Sequence, residues 1–301
     1  MSRISLGRPA RSAAVAAAIA AVLAAMLPVG AAAQAREVGA AGFPGGYVAL
    51  GDSYTSGPGI PDQIPGSYLC FRSDHNYPSL VAQALKPASF TDVSCAGATT
   101  GSMTGLQGLA APQFSALGVQ DRLVTVGIGG NDVGFALVAI ICLALAPLDP
   151  GGAPCRAYYT SGGTDRIAAA IAQTAPKIAA VLRGIHQRAP RARVLLIGYP
   201  DILPASASDC APGVNDPLAA GDIPRINGEE KALNRMLARQ AAANGATYVD
   251  TYRSSIGHDA CQVPGTRWIE GIVDVQNAFT IHPNALGMRN DARQILAVLK
   301  G

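Results

Sequence analysis

Short apolar runs alternate with longer segments of helical periodicity along most of this chain of 301 residues. The apolar runs contain many β-branched residues and end near glycine, which is typical of buried strands. Strands are predicted at 47–50, 89–94, 123–128, 193–198 and 246–250. Helices are predicted at 77–85, 165–188, 225–244 and 285–299, the second of them capped by Thr164. Strands separated by helices indicate a parallel sheet, so we expect an α/β fold, a three-layer α/β/α sandwich.

The N-terminal segment differs from the rest in composition. Three arginines precede an apolar run at 13–29, and small residues end the segment at Ala33 and Ala35. This order is typical of a secretory signal peptide cleaved after one of those two alanines. An uncleaved membrane anchor is the alternative, and the cleavage motif favours secretion. We therefore expect a signal peptide at 1–35 and one catalytic domain at 36–301.

Charge and cysteine content narrow the function classes. Without residues 1–35 the chain has 20 basic and 20 acidic residues, with no basic stripe, so nucleic-acid binding is not expected. Six cysteines all follow the signal segment, and an even count in an exported chain predicts disulfides, with 15 possible connectivities. The cysteines form no C-x-x-C pair and no cluster with histidine, so we expect neither zinc nor another metal.

Chemically useful residues stand where the predicted strands end. Ser53 follows the first strand in Gly51-Asp52-Ser53, and Asn131 follows the third in Gly129-Gly130-Asn131. His282 precedes the last helix, and Gly97 lies in a small-residue turn after the second strand. Gly-Asp-Ser on its own is a common turn sequence. Together these residues supply a nucleophile, a general base and oxyanion donors, the parts that acyl transfer requires.

Four blocks in this order resemble the SGNH hydrolases, also called the GDSL family of esterases and lipases. The blocks are Gly51-Asp52-Ser53-Tyr54, the turn at Gly97, Gly129-Gly130-Asn131-Asp132 and His282-Pro283-Asn284. Many family members carry Leu where this chain has Tyr54. The resemblance implies the flavodoxin-like SGNH fold, with Ser53 as nucleophile and His282 as base. It also implies an oxyanion hole formed by the Ser53 and Gly97 N–H groups and the Asn131 amide.

The resemblance is strongest to a secreted bacterial branch that has three disulfides. It implies the pairs Cys70–Cys95, Cys142–Cys155 and Cys210–Cys261. The family usually has an aspartate three residues before the histidine, but this chain has Phe279 there. Some secreted members use a backbone carbonyl in place of that aspartate. We therefore expect the Phe279 carbonyl to orient the imidazole, because Asp274 and Glu270 have the wrong spacing.

These residues predict a secreted serine esterase or lipase that forms an acyl-enzyme on Ser53. We expect a monomer that acts on a small-molecule or lipid ester, without a cofactor and without stable membrane insertion. Phospholipid deacylation and carbohydrate deacetylation are alternatives on the same site. A secreted binding protein without catalysis is a further alternative.

Two other functional classes, dinucleotide-binding proteins and α/β-hydrolases, fit the sequence less well. A dinucleotide-binding loop would need glycine at Asp132, and an α/β-hydrolase elbow would need glycine at Thr55. The apolar segment 133–145, which directly follows Asn131, is interpreted either as a core helix or as a wall of the acyl-binding cleft.

Overall fold

A computed structural model describes residues 43–214 and 217–300 of the chain. The expected signal peptide and its cleavage sites lie outside the described residues. The five strands are β1 Gly46–Gly51, β2 Ser89–Asp92, β3 Asp121–Gly127, β4 Arg193–Ile197 and β5 Thr247–Val249. All neighbouring strands are parallel, and they form one sheet in the order β2-β1-β3-β4-β5. The predicted parallel sheet is confirmed.

Helices follow the strands and cover both faces of the sheet. The helices are α1 Ser53–Ser56, α2 Tyr77–Leu85, α3 Gly130–Val133, α4 Phe135–Leu145, α5 Pro154–Thr160, α6 Arg166–Arg188, α7 Ile223–Ala243, α8 Tyr252–Ser255 and α9 Ala285–Lys300. Asp165, and not the predicted Thr164, caps α6, because its carboxylate accepts the N–H groups of Ile167 and Ala168. A carboxylate in this position satisfies N–H groups that the first helical turn leaves free.

Alternate residues of each strand point to opposite cores, which accounts for the three layers. Val48 and Leu50 of β1 pack with α6 and α7 in the larger core. Tyr47 and Ala49 point to the other side and pack with α2 and α9. Burial of both faces explains why the central strands are apolar at nearly every position.

The six cysteines form three disulfides, and the pairing implied by the family resemblance is confirmed: Cys70–Cys95, Cys142–Cys155 and Cys210–Cys261. The first bond fastens the loop that follows β2, and the second ties α4 to α5. In the described part of the chain, no helix has the length and apolar character needed to cross a membrane.

Candidate active site

Ser53 stands at the carboxyl end of β1, on the first residue of α1. Gly51 makes this sharp exit possible, because a Cβ there would lie 2.1 Å from the Thr55 Oγ1 atom and 2.7 Å from the Gly127 carbonyl oxygen. Asp52 then caps α1 by accepting the Tyr54 N–H at 2.9 Å. The side chain of Ser53 is therefore held at the edge of the sheet, where ligands of open α/β folds bind.

His282 lies directly beside the serine. Its Nε2 atom is 2.8 Å from the Ser53 Oγ atom, within hydrogen-bonding distance. Its Nδ1 atom is 2.8 Å from the carbonyl oxygen of Thr280. The expectation for Phe279 was wrong, because the Phe279 carbonyl accepts the backbone N–H of His282 at 3.1 Å and not the ring. The orienting carbonyl is thus two residues before the histidine.

The three expected oxyanion donors, the Ser53 and Gly97 N–H groups and the Asn131 amide, each have an N–H without an acceptor among the described residues. In the described part of the chain, the backbone N–H groups of Ser53 and Gly97 have no acceptor. Gly97 has φ +79°, a conformation that favours glycine, and a Cβ there would meet only the Gln107 side chain at 3.6 Å. The Asn131 amide donates one N–H to the Ala98 carbonyl at 2.9 Å, which leaves its second N–H for a ligand. Free N–H groups of this kind are what an oxyanion hole requires.

Asp132 holds the Gly97 turn against the exit of β3. Its carboxylate accepts the Thr100 N–H at 2.8 Å and the Thr100 hydroxyl at 2.6 Å, and Lys177 lies 3.5 Å away. The turn that contains Gly97 is therefore held by Asn131, which bonds to Ala98, and by Asp132, which bonds to Thr100.

A second acid links the exits of three strands. The buried Asp52 carboxylate accepts the Tyr199 hydroxyl at 2.5 Å, and the same hydroxyl accepts the Gly130 N–H at 2.8 Å. Burial raises the pKa of Asp52 to about 7, and the Tyr199 hydrogen bond partly offsets this rise. Nothing in the sequence signals this contact between Asp52 and Tyr199.

The histidine loop is fastened to residues 267–276. Arg267 and Glu270 form a buried ion pair with an N–O distance of 2.8 Å. Glu270 also accepts the Gln276 N–H at 3.1 Å and the Asn284 amide at 3.1 Å. The Glu270 N–H donates to the His282 carbonyl at 2.9 Å. Glu270 is thus a support of the loop and lies away from the imidazole Nδ1 atom.

Tyr54 contacts the histidine in two ways. Its ring centroid lies 5.1 Å from that of the imidazole, and its hydroxyl donates to the Ile281 carbonyl at 2.5 Å. Ile281 has φ +57°, which is rare for a β-branched residue. Such a conformation persists only where the surroundings hold it. Tyr54 therefore acts as a clamp on the residue before His282.

An apolar pocket of about 370 Å³ opens beside the serine–histidine pair. Its floor near the pair is formed by Ser53, Tyr54, Asn131 and His282. Its walls come from α4, α7 and the loop after β4: Phe135, Val138, Ala139, Leu143, Ile202, Leu203, Ile226 and Leu233. The segment 133–145 is thus helical and forms one wall, so it belongs both to the core and to the cleft.

Burial and hydrogen bonding shift the pKa of the His282 imidazole in opposite directions. Burial lowers the pKa of His282 below its usual 6.5, and the Thr280 carbonyl partly offsets this by stabilising the ring N–H. A neutral imidazole at mildly acidic pH is suited to removing a proton from Ser53. Within residues 43–214 and 217–300, no three His, Cys, Asp or Glu side chains are grouped to hold a metal ion.

Comparison with known proteins agrees with this geometry. Residues 49–289 match the GDSL-like lipase/acylhydrolase family. The chain belongs to this family. It is 43% identical to Lipase 2 of Streptomyces coelicolor over 257 residues, which cover 84% of this chain and 85% of that lipase.

Two solved structures of GDSL-type relatives share the architecture. One is phospholipase A1 from Streptomyces albidoflavus, with a TM-score of 0.71, 31% identity and coverage of 84% of this chain and 98% of that one. The other is the extracellular lipase of Streptomyces rimosus, with a TM-score of 0.67, 30% identity and coverage of 84% and 99%. Family membership and these relatives make the chain a hydrolase of carboxylic esters.

Proposed function

We propose that this GDSL hydrolase is an exported lipase or esterase that transfers an acyl group through Ser53. The observation that carries the proposal is the Ser53–His282 contact of 2.8 Å at the mouth of an apolar pocket. Nucleophile and base within hydrogen-bonding distance, with the base oriented by a third group, are the signature of an activated serine.

The reaction has two steps on the same groups. His282 takes the proton of the Ser53 hydroxyl, whose oxygen attacks the ester carbonyl carbon. The oxyanion accepts hydrogen bonds from the Ser53 and Gly97 N–H groups and from the Asn131 amide. The imidazolium then protonates the leaving alcohol, and a water molecule attacks the acyl-enzyme by the same route to release the acid. The Thr280 carbonyl fixes the imidazole tautomer but adds no full negative charge.

The pocket supports an acyl chain longer than acetate as the bound group. Its walls are apolar except at a few positions such as Glu230, and α4 contains no charged residue. The outer face of α4 is apolar as well, with Leu137 and Ile140 about 60% exposed (59% and 62%). Exposed apolar surface at the mouth of an apolar pocket suits a lipid ester better than an acetylated sugar.

The test of the nucleophile is Ser53→Ala with Ser56→Ala as its control. Ser56 lies on the same short helix and is buried, but its hydroxyl makes no contact with His282 in the described structure. Ser53→Ala should abolish ester hydrolysis and labelling by a fluorophosphonate, while Ser56→Ala keeps both. Circular dichroism should show both variants folded. A Ser53→Ala enzyme with a tenth of the normal activity would exclude the proposed acyl-enzyme.

Phospholipid deacylation is a second candidate, favoured by the similarity to the phospholipase A1 structure. A profile of p-nitrophenyl esters from acetate to palmitate, beside a phospholipid and an acetylated sugar, separates the candidates. We expect esters with medium or long acyl chains to be hydrolysed faster than the acetate ester. The acetylated sugar should be a poor substrate.

Export is supported by the three disulfides and by the composition of the first 35 residues. Disulfides persist mainly in oxidising compartments. N-terminal sequencing of the protein from culture medium should find a chain that begins at Gln34 or Arg36. Retention of residues 13–29 in a membrane fraction would favour the anchor instead.

A further inference from the structure

One acidic side chain stands in the wall of the acyl pocket without a full set of partners. Glu230 is 3% exposed and lines the pocket together with Ile226 and Leu233, one turn away on either side of α7. Its Oε2 atom accepts the Ile202 N–H at 3.1 Å. Its Oε1 atom is buried and has no hydrogen-bond partner in the described residues. The helical stripe is apolar except at this position.

The neighbouring residues confirm that Glu230 is an exception on its helix. Glu229 pairs with Arg225 at 2.7 Å and does not line the pocket. Lys231 lies over the ring of Tyr252, 5.5 Å from its centroid. Within the described ranges, no basic side chain forms an ion pair with Glu230. The other acid in the pocket, Asp52, has both carboxylate oxygens occupied by Tyr54 and Tyr199.

The chemistry of Glu230 indicates what would complement it. Burial raises the pKa of its carboxyl well above the usual value, and the nearby Asp201 acts in the same direction. A raised pKa favours the neutral form of the carboxyl, and an unpaired polar atom in an apolar wall is unfavourable. A hydroxyl group both donates and accepts, so it complements Oε1 with or without the proton. A cationic group would lose its hydration for a single oxygen.

We propose that the free oxygen of Glu230 binds a hydroxyl group on the acyl chain, so that the enzyme selects esters of hydroxylated fatty acids. The proposal rests on the proposed function, because it takes the pocket as the acyl site. A site that hydrogen-bonds a substrate hydroxyl discriminates against the analogue that lacks it, since the protein group is then left unpaired.

The experiment compares 4-nitrophenyl dodecanoate with monohydroxy analogues that carry the hydroxyl at successive carbons. For the wild-type protein, kcat/KM should be about tenfold higher for at least one positional isomer than for the plain ester, the usual effect of one buried hydrogen bond. Glu230→Leu should reverse this ratio and favour the plain ester. Glu230→Gln keeps a donor and an acceptor and should retain at least a threefold preference.

Glu229→Gln is the matched control, because it makes the same change on the adjacent residue outside the pocket. It should leave the ratio unchanged. If Glu230→Leu does not fold, the wild-type ratio and the Gln variant decide. A wild-type ratio at or below one for every isomer overturns the proposal, as does an unchanged preference in Glu230→Leu or a greater preference for an amino-substituted chain. Failure of the proposed function is distinct, because the plain ester would then not be hydrolysed at all.

Discussion

Ser53, Gly97 and Asn131 follow the ends of three neighbouring strands, whereas His282 lies in a loop outside the sheet. The first group is positioned by strand pairing and by short links between strand exits, such as Asp52–Tyr199 and Asp132–Thr100. The histidine depends on contacts between loops, among them one buried ion pair. The proposed oxyanion donors thus lie on connections between paired strands, while the position of the proposed base, His282, depends on a few side chains.

Glu270→Gln tests the support of the His282 loop most directly. The change leaves the Arg267 guanidinium buried beside a neutral amide, and breaking a buried pair in this way typically costs about 3–5 kcal/mol of unfolding free energy. Guanidinium denaturation should show that loss. Asp250→Asn is the control, because its partner Arg253 is 87% exposed and lies 3.8 Å away, so the loss should stay below about 1 kcal/mol. Equal effects of the two variants would show that the ion pair does not support the loop.

Asn131→Ala tests the group of residues that follow the strand ends. It removes one donor while the strand exit keeps its backbone contacts, so kcat should fall by about 10²–10³. KM should change little, because the donor acts on the oxyanion and not on the ground-state ester. Asn131→Asp has the same size but no N–H group, and it should be at least as impaired. An effect on KM alone would assign Asn131 to substrate binding.

Tyr54→Phe tests the contact between the strand-end residues and the His282 loop, since Tyr54 directly follows Ser53 and its hydroxyl holds that loop. The ring stays, and only the hydrogen bond to the Ile281 carbonyl is lost, so kcat should fall about tenfold, about 1.4 kcal/mol. Tyr47→Phe removes another buried hydroxyl, bonded to Thr125 at 3.0 Å, and should lower stability without changing kcat. Similar kcat values in both variants would contradict the clamp.

The pH profile of Tyr54→Phe separates positioning from a change in basicity. For the wild-type enzyme, kcat/KM should rise with pH and level off with a midpoint below 6.5, because burial lowers the pKa of His282 and the neutral ring is the base. The variant should keep this midpoint at a lower plateau.

Phe279→Ala should have the smallest effect. Phe279 is 42% exposed, and its ring centroid lies 6.3 Å from that of the His282 imidazole. The carbonyl that orients the imidazole belongs to Thr280 and not to Phe279. We expect kcat within about threefold of the wild type, about 0.7 kcal/mol. A loss of a hundredfold, with the fold intact, would show that packing at Phe279 positions the base.

The regular helices and strands were predictable because the spacing of their apolar residues matches the faces that they bury. The helix 77–85 was predicted with the bounds that the structure has, and β1 and β3 were found within about two residues, which is close for element ends. Ser53 and Asn131 could be expected at one edge of the sheet, since parallel strands end there. His282 directly follows none of the described strands, so only the family resemblance implied that it lies beside Ser53.

The support of the histidine was not predictable to the same degree. Spacing favoured Phe279, but the left-handed conformation of Ile281 brings the Thr280 carbonyl to the ring instead. β-Branched residues disfavour that conformation, so no local rule predicts it here. In α7, the adjacent Glu229 and Glu230 differ only in the direction of their side chains, which the three-dimensional packing decides.

The position of α4 as a wall of the pocket has a consequence for how the enzyme can diversify. This helix forms one wall of the pocket and is tied to α5 by Cys142–Cys155, but it contributes none of the proposed reacting groups. We expect substitutions along it to change which acyl chains enter the pocket without moving Ser53, His282 or the proposed oxyanion donors. Natural variants and laboratory chimeras that exchange residues 135–155 should therefore differ in chain-length selectivity while sharing one chemical mechanism.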